Sequence, residues 1–156
     1  MPASDIALYD LLQTIRPLHR RVARSVASHL EGTGIGVGAR AVLACLAEGG
    51  PATVPQAGRA LFLPRQNVQK WMDELLAAGL VAKHPNPAHR RSPVAALTDK
   101  GAAFFERIRS REQAFLAPLA SDLDAGDVEA AARVLSACLA HFAAYEDDPD
   151  RPGPIG

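Results

Sequence analysis

The chain has 156 residues, a length that suits one domain, or one domain with helical extensions, and that needs no disulfide or metal to hold a core. Apolar residues make up 48% and charged residues 22%, which excludes a disordered chain, while 5% aromatics favours helices packed through Ala, Leu and Val over an aromatic-rich β-sandwich. The formal net charge is zero, yet residues 1–50 carry net +1, residues 51–100 net +4 and residues 101–156 net −5. A basic middle in a neutral chain suggests a local face for an anion, and nucleic acid is the commonest large one; an unevenly charged solvated surface is the plainer alternative.

Residues 5–30 have helical spacing, with Leu8, Leu11, Leu12, Ile15, Leu18, Val22 and Val26 at three- and four-residue steps and Ser4 or Asp5 to cap the start. Pro17 lies in the middle, removes a donor and predicts a kink or a break. Glu31–Gly38 carries four glycines and reads as a loop. A short helix follows over about 38–48, stopped by Gly49, Gly50 and Pro51. Thr53 and Gln56 have capping-box spacing and open a helix that ends near Leu61. Phe62 and Leu63 make a tight connection, and Pro64 opens a second helix that runs to about Ala78 and stops at Gly79. Leu80–Lys83 and Pro93–Leu97 read as two strands of a hairpin around the turn Asn86–Arg91. Thr98 caps a long helix to about Leu119, and a final helix spans roughly 125–145. The remaining acidic, Pro- and Gly-rich segment predicts a disordered tail.

The order is that of a helix-turn-helix followed by a wing. On the second helix of the pair, Val68, Trp71, Met72, Leu75 and Leu76 form one stripe that should face the core. The other side carries Arg65, Gln66, Asn67, Gln69, Lys70 and Asp73. Amides and guanidinium groups at the start of a helix can read base edges in a major groove, Arg on guanine and Gln or Asn on adenine. Polar exposed faces are also common on any helix. The hairpin tip adds His89, Arg90 and Arg91, cations that no core needs and that suit a narrow minor groove.

The stretch LFLPRQNVQKWMDELLAAGLVAKHPNPAHRRSPVAALTDKG resembles the recognition helix and wing of the MarR family of bacterial transcriptional regulators. The resemblance extends upstream through ARAVLACLAEGGPATVPQAGRAL and covers most of residues 5–145. Its most specific parts are the DELLAAGLV helix end and the HRRSPVAALT wing. The family's usual wing has Asp, any residue, Arg and then Leu-x-Leu-Thr. Here His89 stands at the Asp position, Arg91 matches the Arg, and Ala95-Ala96-Leu97-Thr98 replaces the end. The lost carboxylate removes an ion pair that would orient Arg91, and His89 offers pH sensitivity in its place.

The resemblance implies a mostly α fold, a winged helix-turn-helix with a two-stranded wing hairpin and N- and C-terminal dimerisation helices. The expected divisions are a dimerisation helix at 1–36, the DNA-binding domain at 37–98, dimerisation helices at 99–145 and the tail at 146–156. It implies a homodimer that binds a pseudo-palindromic operator in double-stranded DNA and represses transcription, with recognition helices about 10–10.5 base pairs apart. It also implies a small aromatic or phenolic effector. Arg16, His19, Cys45 and Trp71 are candidate lining residues. Each has a plainer role: solvated cation, helix-surface residue, small buried hydrophobe and core aromatic.

A redox branch of the family uses a cysteine near the start of the first helix, where this chain has none; Cys45 and Cys138 lie on apolar helix faces. His19, His29, His84, His89 and His141 form no metal spacing with acidic or thiol partners, so no metal or cofactor is expected. No apolar run approaches the roughly 18 residues of a membrane span, and the start MPASDIALYD lacks a secretion signal's basic and apolar regions. A cytoplasmic protein is expected. There is no phosphate loop, nucleophile motif or paired carboxylate site, so an enzyme is not. The competing reading is a dimeric winged-helix interaction module that does not bind DNA.

Overall fold

The computed structural model describes residues 4–88 and 91–146. Among the described residues, six helices and one hairpin follow in the order α1 (Asp5–His29), α2 (Val37–Gly49), α3 (Val54–Leu61), α4 (Arg65–Ala77), β1 (Val81–His84), β2 (Val94–Leu97), α5 (Asp99–Ser121) and α6 (Ala125–Glu146). The chain forms two compact units, one ending at Ala114 and the other beginning at Phe115. Among the described residues, no helix is long and apolar enough to cross a membrane.

The first unit holds the core. Ala39, Val42, Leu43 and Leu46 of α2 meet Ala57 of α3 and Val68, Met72 and Leu75 of α4, all at 3% exposure or less. Leu80, Val81 and Ala95 of the hairpin and Phe105 of α5 complete the cluster. The α4 stripe thus buries Val68, Met72 and Leu75 fully, while Trp71 and Leu76 are half-buried against the same cluster. Short apolar side chains on α2 let three helices approach closely, which the low aromatic content anticipated.

Local chemistry places the boundaries. Thr53 Oγ1 accepts from the Gln56 N–H at 3.3 Å, and Gln56 Oε1 accepts from the Thr53 N–H at 2.8 Å, so the capping box that opens α3 is formed at both ends. Phe62 takes a left-handed φ of +54° in the turn between α3 and α4. That conformation costs a Phe about 1–2 kcal/mol, and the turn offsets it with the Leu63 N–H on the Gly58 carbonyl at 3.0 Å. Gly79, at φ +70°, ends α4 where a side chain would be strained.

The junction after α4 is tightly stitched. Thr98 Oγ1 donates to the Gly79 carbonyl at 2.8 Å and accepts from the Gly101 N–H at 3.0 Å, while Lys100 Nζ donates to the Ala78 carbonyl at 2.7 Å. Gly101 lies against the backbone of Leu80, so closely that an added Cβ would sit 1.8 Å from the Leu80 oxygen. Also in the last turn of α4, Glu74 Oε1 accepts from the Gly36 N–H at 3.1 Å, ahead of α2. Arg40 of α2 forks onto Glu112 of α5, Nε to Oε1 at 3.0 Å and Nη2 to Oε2.

The hairpin is antiparallel, Val81 opposite Leu97 and His84 opposite Val94. Ala52 adds a bridge to Ala95, exchanging bonds of 3.0 and 2.9 Å, which ties the hairpin to the segment between α2 and α3. The expected fold class is the observed one, with three differences. Helix α1 is continuous from Asp5 to His29 through Pro17, so of the expected kink or break there is no break: a proline removes one donor without having to end the helix. Helix α2 begins at Val37, so the glycine loop is shorter than Glu31–Gly38. Helix α5 passes Leu119 to reach Ser121, with Pro118 inside it. Residues 147–156, most of the segment read as a tail, lie outside the described residues.

Helices α1 and α6 have no buried residue, although each carries an apolar face. Ile6 and Leu18 of α1 are 70% and 58% exposed, and Leu139 of α6 is 57% exposed. Phe115 and Leu119 of α5 are also exposed.

Candidate nucleic-acid interface

Helix α4 presents Arg65, Gln66, Asn67 and Lys70 to solvent, and Gln69 is half-buried. The buried stripe of Val68, Met72 and Leu75 fixes the rotation of the helix, and that rotation turns these polar groups outward. Arg65 is the first helical residue after Pro64, so its cation adjoins the helix N-terminus with its outward backbone donors.

The wing comes alongside. A cleft of about 80 Å³ between α4 and the hairpin is lined by Arg65, Gln69, Met72, Lys83, Arg91 and Pro93, with Val54 and Pro55 of α3 at its margin. Three cations from three segments therefore meet in one place: the start of α4, β1 and the return from the hairpin tip. Asn86 shapes the tip. Its Oδ1 accepts from the Ala88 N–H at 3.0 Å, and its Nδ2 donates to the Ser92 carbonyl at 3.0 Å. Arg91 is exposed beside that turn, and His89 and Arg90 lie outside the described residues.

Two members of this surface were not identified as site residues in the sequence. Lys83 read only as a strand residue, since nothing in its spacing shows that β1 lies beside α4. Asp73 was placed on the polar face but given no role. Its Oδ1 accepts from Gln69 Nε2 at 2.9 Å and lies 3.8 Å from Lys83 Nζ.

The four candidate effector residues are dispersed. Arg16 and His19 are exposed on α1. The Trp71 ring fills the space above Gly38, where an added Cβ would lie 2.1 Å from Cε2, so it seats α4 against α2. Cys45 lines a shallow hollow of about 350 Å³ with Arg40, Glu48 and Ala60, and none of the other three candidates is there. Neither cysteine is fully buried; both are half-exposed.

Burial, and secondarily the Glu48 carboxylate, push the Cys45 thiol up from its ordinary value. Both effects disfavour the thiolate, which is the reactive form. In a Cys138→Ser background, iodoacetamide should therefore alkylate Cys45 more slowly at neutral pH than it alkylates a free cysteine. Glu48→Gln should speed the reaction without reaching the free rate, since the burial remains. Mass spectrometry over time checks both. Alkylation as fast as that of free cysteine would refute the protected thiol.

The comparisons with known proteins agree with this geometry. Residues 33–92 match the model of the MarR family. Over 59 residues the chain is 42% identical to the uncharacterized protein Rv2011c of Mycobacterium tuberculosis; the match spans 38% of this chain and 41% of that protein. The crystal structure of the MarR family transcription regulator SP03579 is similar over 91% of this chain and 94% of that one, at 34% identity and a TM-score of 0.77. A mutant MarR from E. coli, complexed with operator DNA, shares the fold over 83% of this chain and 94% of that one, at 23% identity and a TM-score of 0.71. An identity of 34% across nearly the whole of a family member, on a fold that sets a helix-turn-helix beside a basic hairpin, places the chain in the MarR family of transcription regulators.

Proposed function

We propose that this protein binds double-stranded operator DNA as a homodimer and represses transcription by occupying a promoter. The observation that carries the reading is the convergence of Arg65, Lys83 and Arg91 beside the polar face of α4. Helix α4 enters a major groove, with Arg65, Gln66, Asn67, Gln69 and Lys70 toward the base edges and the flanking phosphates. The wing, with His89, Arg90 and Arg91, follows the adjacent minor groove. The winged-helix fold shared with the E. coli MarR structure complexed with operator DNA supports this docking.

A homodimer accounts for the exposed apolar residues of α1, α5 and α6. Large apolar side chains exposed in number along a helix are uncommon on a monomer and mark a protein interface. An effector of the small aromatic or phenolic class belongs to the same proposal. The cleft beside α4, at about 80 Å³, holds two or three waters and not an aromatic ring. The hollow around Cys45 has the size for one; Arg40 at its edge is paired with Glu112.

A salt titration tests DNA binding. Affinity for a duplex selected from random DNA should fall by about 0.9 log unit per phosphate contact per log unit of salt. Arg91→Ala should weaken binding across sequences and lower that slope by about one, since its partners are phosphate and groove shape. Unchanged affinity and slope would remove Arg91 from the interface. Binding of no duplex at low ionic strength would favour the interaction module instead.

A further inference from the structure

Gln69 does not face the groove as a free amide. Asp73, one turn further along α4, takes a hydrogen bond from Gln69 Nε2 at 2.9 Å, and the same Asp73 oxygen lies 3.8 Å from Lys83 Nζ on β1. We infer that Asp73 is a positioning residue that fixes the polarity of the Gln69 amide and so makes it a reader of adenine at one position of each operator half-site. The inference rests on the proposed docking of α4 in a major groove.

The reason is the chemistry of the amide. Gln carries an acceptor oxygen and two N–H donors, and a free side chain can present either edge. Beside a carboxylate only the nitrogen can face inward, because two oxygens would repel. Of the two hydrogens on Nε2, one lies on the same side as Oε1 and the other points away from it. Donating the first would press Oε1 against the carboxylate, so the second is the one that Asp73 holds. The edge left for DNA then offers one acceptor and one donor side by side. That pair matches the N6 donor and N7 acceptor of adenine. Guanine offers two acceptors there, N7 and O6, and one of them would face Oε1.

Exposure favours an orienting role over a stabilising one. The Asp73 and Lys83 side chains are 58% and 43% exposed, so their ion pair contributes little to folding. It does hold the carboxylate from the wing side while Gln69 holds it from the helix. A negative charge within a basic surface otherwise weakens phosphate binding. A role in specificity explains why it is tolerated.

The test compares full-length parent, Gln69→Ala, Asp73→Ala and Asp73→Asn. Each selects duplexes from a random-sequence pool, and sequencing gives the base preference at every position. Binding to the unselected pool and thermal unfolding are measured alongside. Gln69→Ala should reduce the preference for adenine at one position of each half-site by about 5- to 150-fold, the range expected for one bidentate contact. Asp73→Ala should flatten the same position, with no loss of affinity for the unselected pool. Asp73→Asn keeps an acceptor oxygen, which the Lys83 ammonium holds inward, and should keep the adenine preference. A parent-like profile for Asp73→Ala, or equal flattening by Asp73→Asn, would overturn the positioning role. So would a position that prefers guanine. Failure of the parent to bind the pool at all would instead overturn the DNA-binding proposal from which this one starts.

Discussion

Replacing Gly101 with alanine should destabilise the protein by about 3 kcal/mol or more, among the largest effects available to a single methyl group here. The added Cβ would lie 1.8 Å from the Leu80 oxygen and 2.8 Å from its carbonyl carbon. Both atoms are backbone, so no side-chain rotation relieves the clash. Either α5 or the start of the hairpin must move. Movement there strains the bonds of Thr98 to Gly79 and Gly101 and of Lys100 to Ala78, which join α4, hairpin and α5. Gly49→Ala is the matched control. Its Cβ meets nothing within 4 Å, and it lies in the last turn of α2. That substitution should be neutral or stabilise by up to about 1 kcal/mol, through helix propensity and a less flexible unfolded chain. Urea unfolding at one fixed protein concentration measures both, since a dimer's midpoint depends on concentration. Equal midpoints for the two variants would show that α5 does not press on Leu80 as described.

The second large effect falls on DNA binding. Leu139→Glu should convert the proposed dimer to monomer and weaken operator binding by about 100-fold or more. Leu139 is 57% exposed on α6, so a carboxylate there costs the isolated subunit little. In a dimer that covers this face, the same carboxylate would lose its water without gaining a partner. Two linked recognition helices bind more tightly than one because the second contact is intramolecular, a gain of about 10²- to 10⁴-fold. Sedimentation gives the oligomeric state, and fluorescence anisotropy on a selected duplex gives the affinity. Circular dichroism should show the helices retained. A variant that stays dimeric and binds as the parent does would remove α6 from the interface.

The contrast between these two sites shows what the amino-acid order could and could not convey. Periodicity found α1 and the stripe of α4, because a helix writes its apolar stripe into neighbouring residues; Val68, Met72 and Leu75 are buried where their spacing put them. Cap chemistry is equally local, which is why Thr53 and Gln56 could be paired by eye and Gly79 could be read as a stop. Pro17 shows the limit of a local rule: of the kink or break it predicted there is no break, and α1 is continuous over 25 residues. The apolar faces of α1 and α6 were legible too, but the sequence could not distinguish a face that packs within the chain from one left exposed.

The candidate interface divides in the same way. Arg65, Gln66, Asn67, Gln69 and Lys70 are five residues of one helix, so their common face follows from the helical repeat alone. Lys83, Asp73 and Gln69 are joined across two elements, and Gly101 meets Leu80 across another pair. No period links those positions. Their distances are set by how the Ala-, Leu- and Val-lined helices and the hairpin pack together, a sum of many small contacts spread along the chain. The sequence by itself determined the elements, their order and the polar face of α4; packing alone decided which cation stands beside which carboxylate.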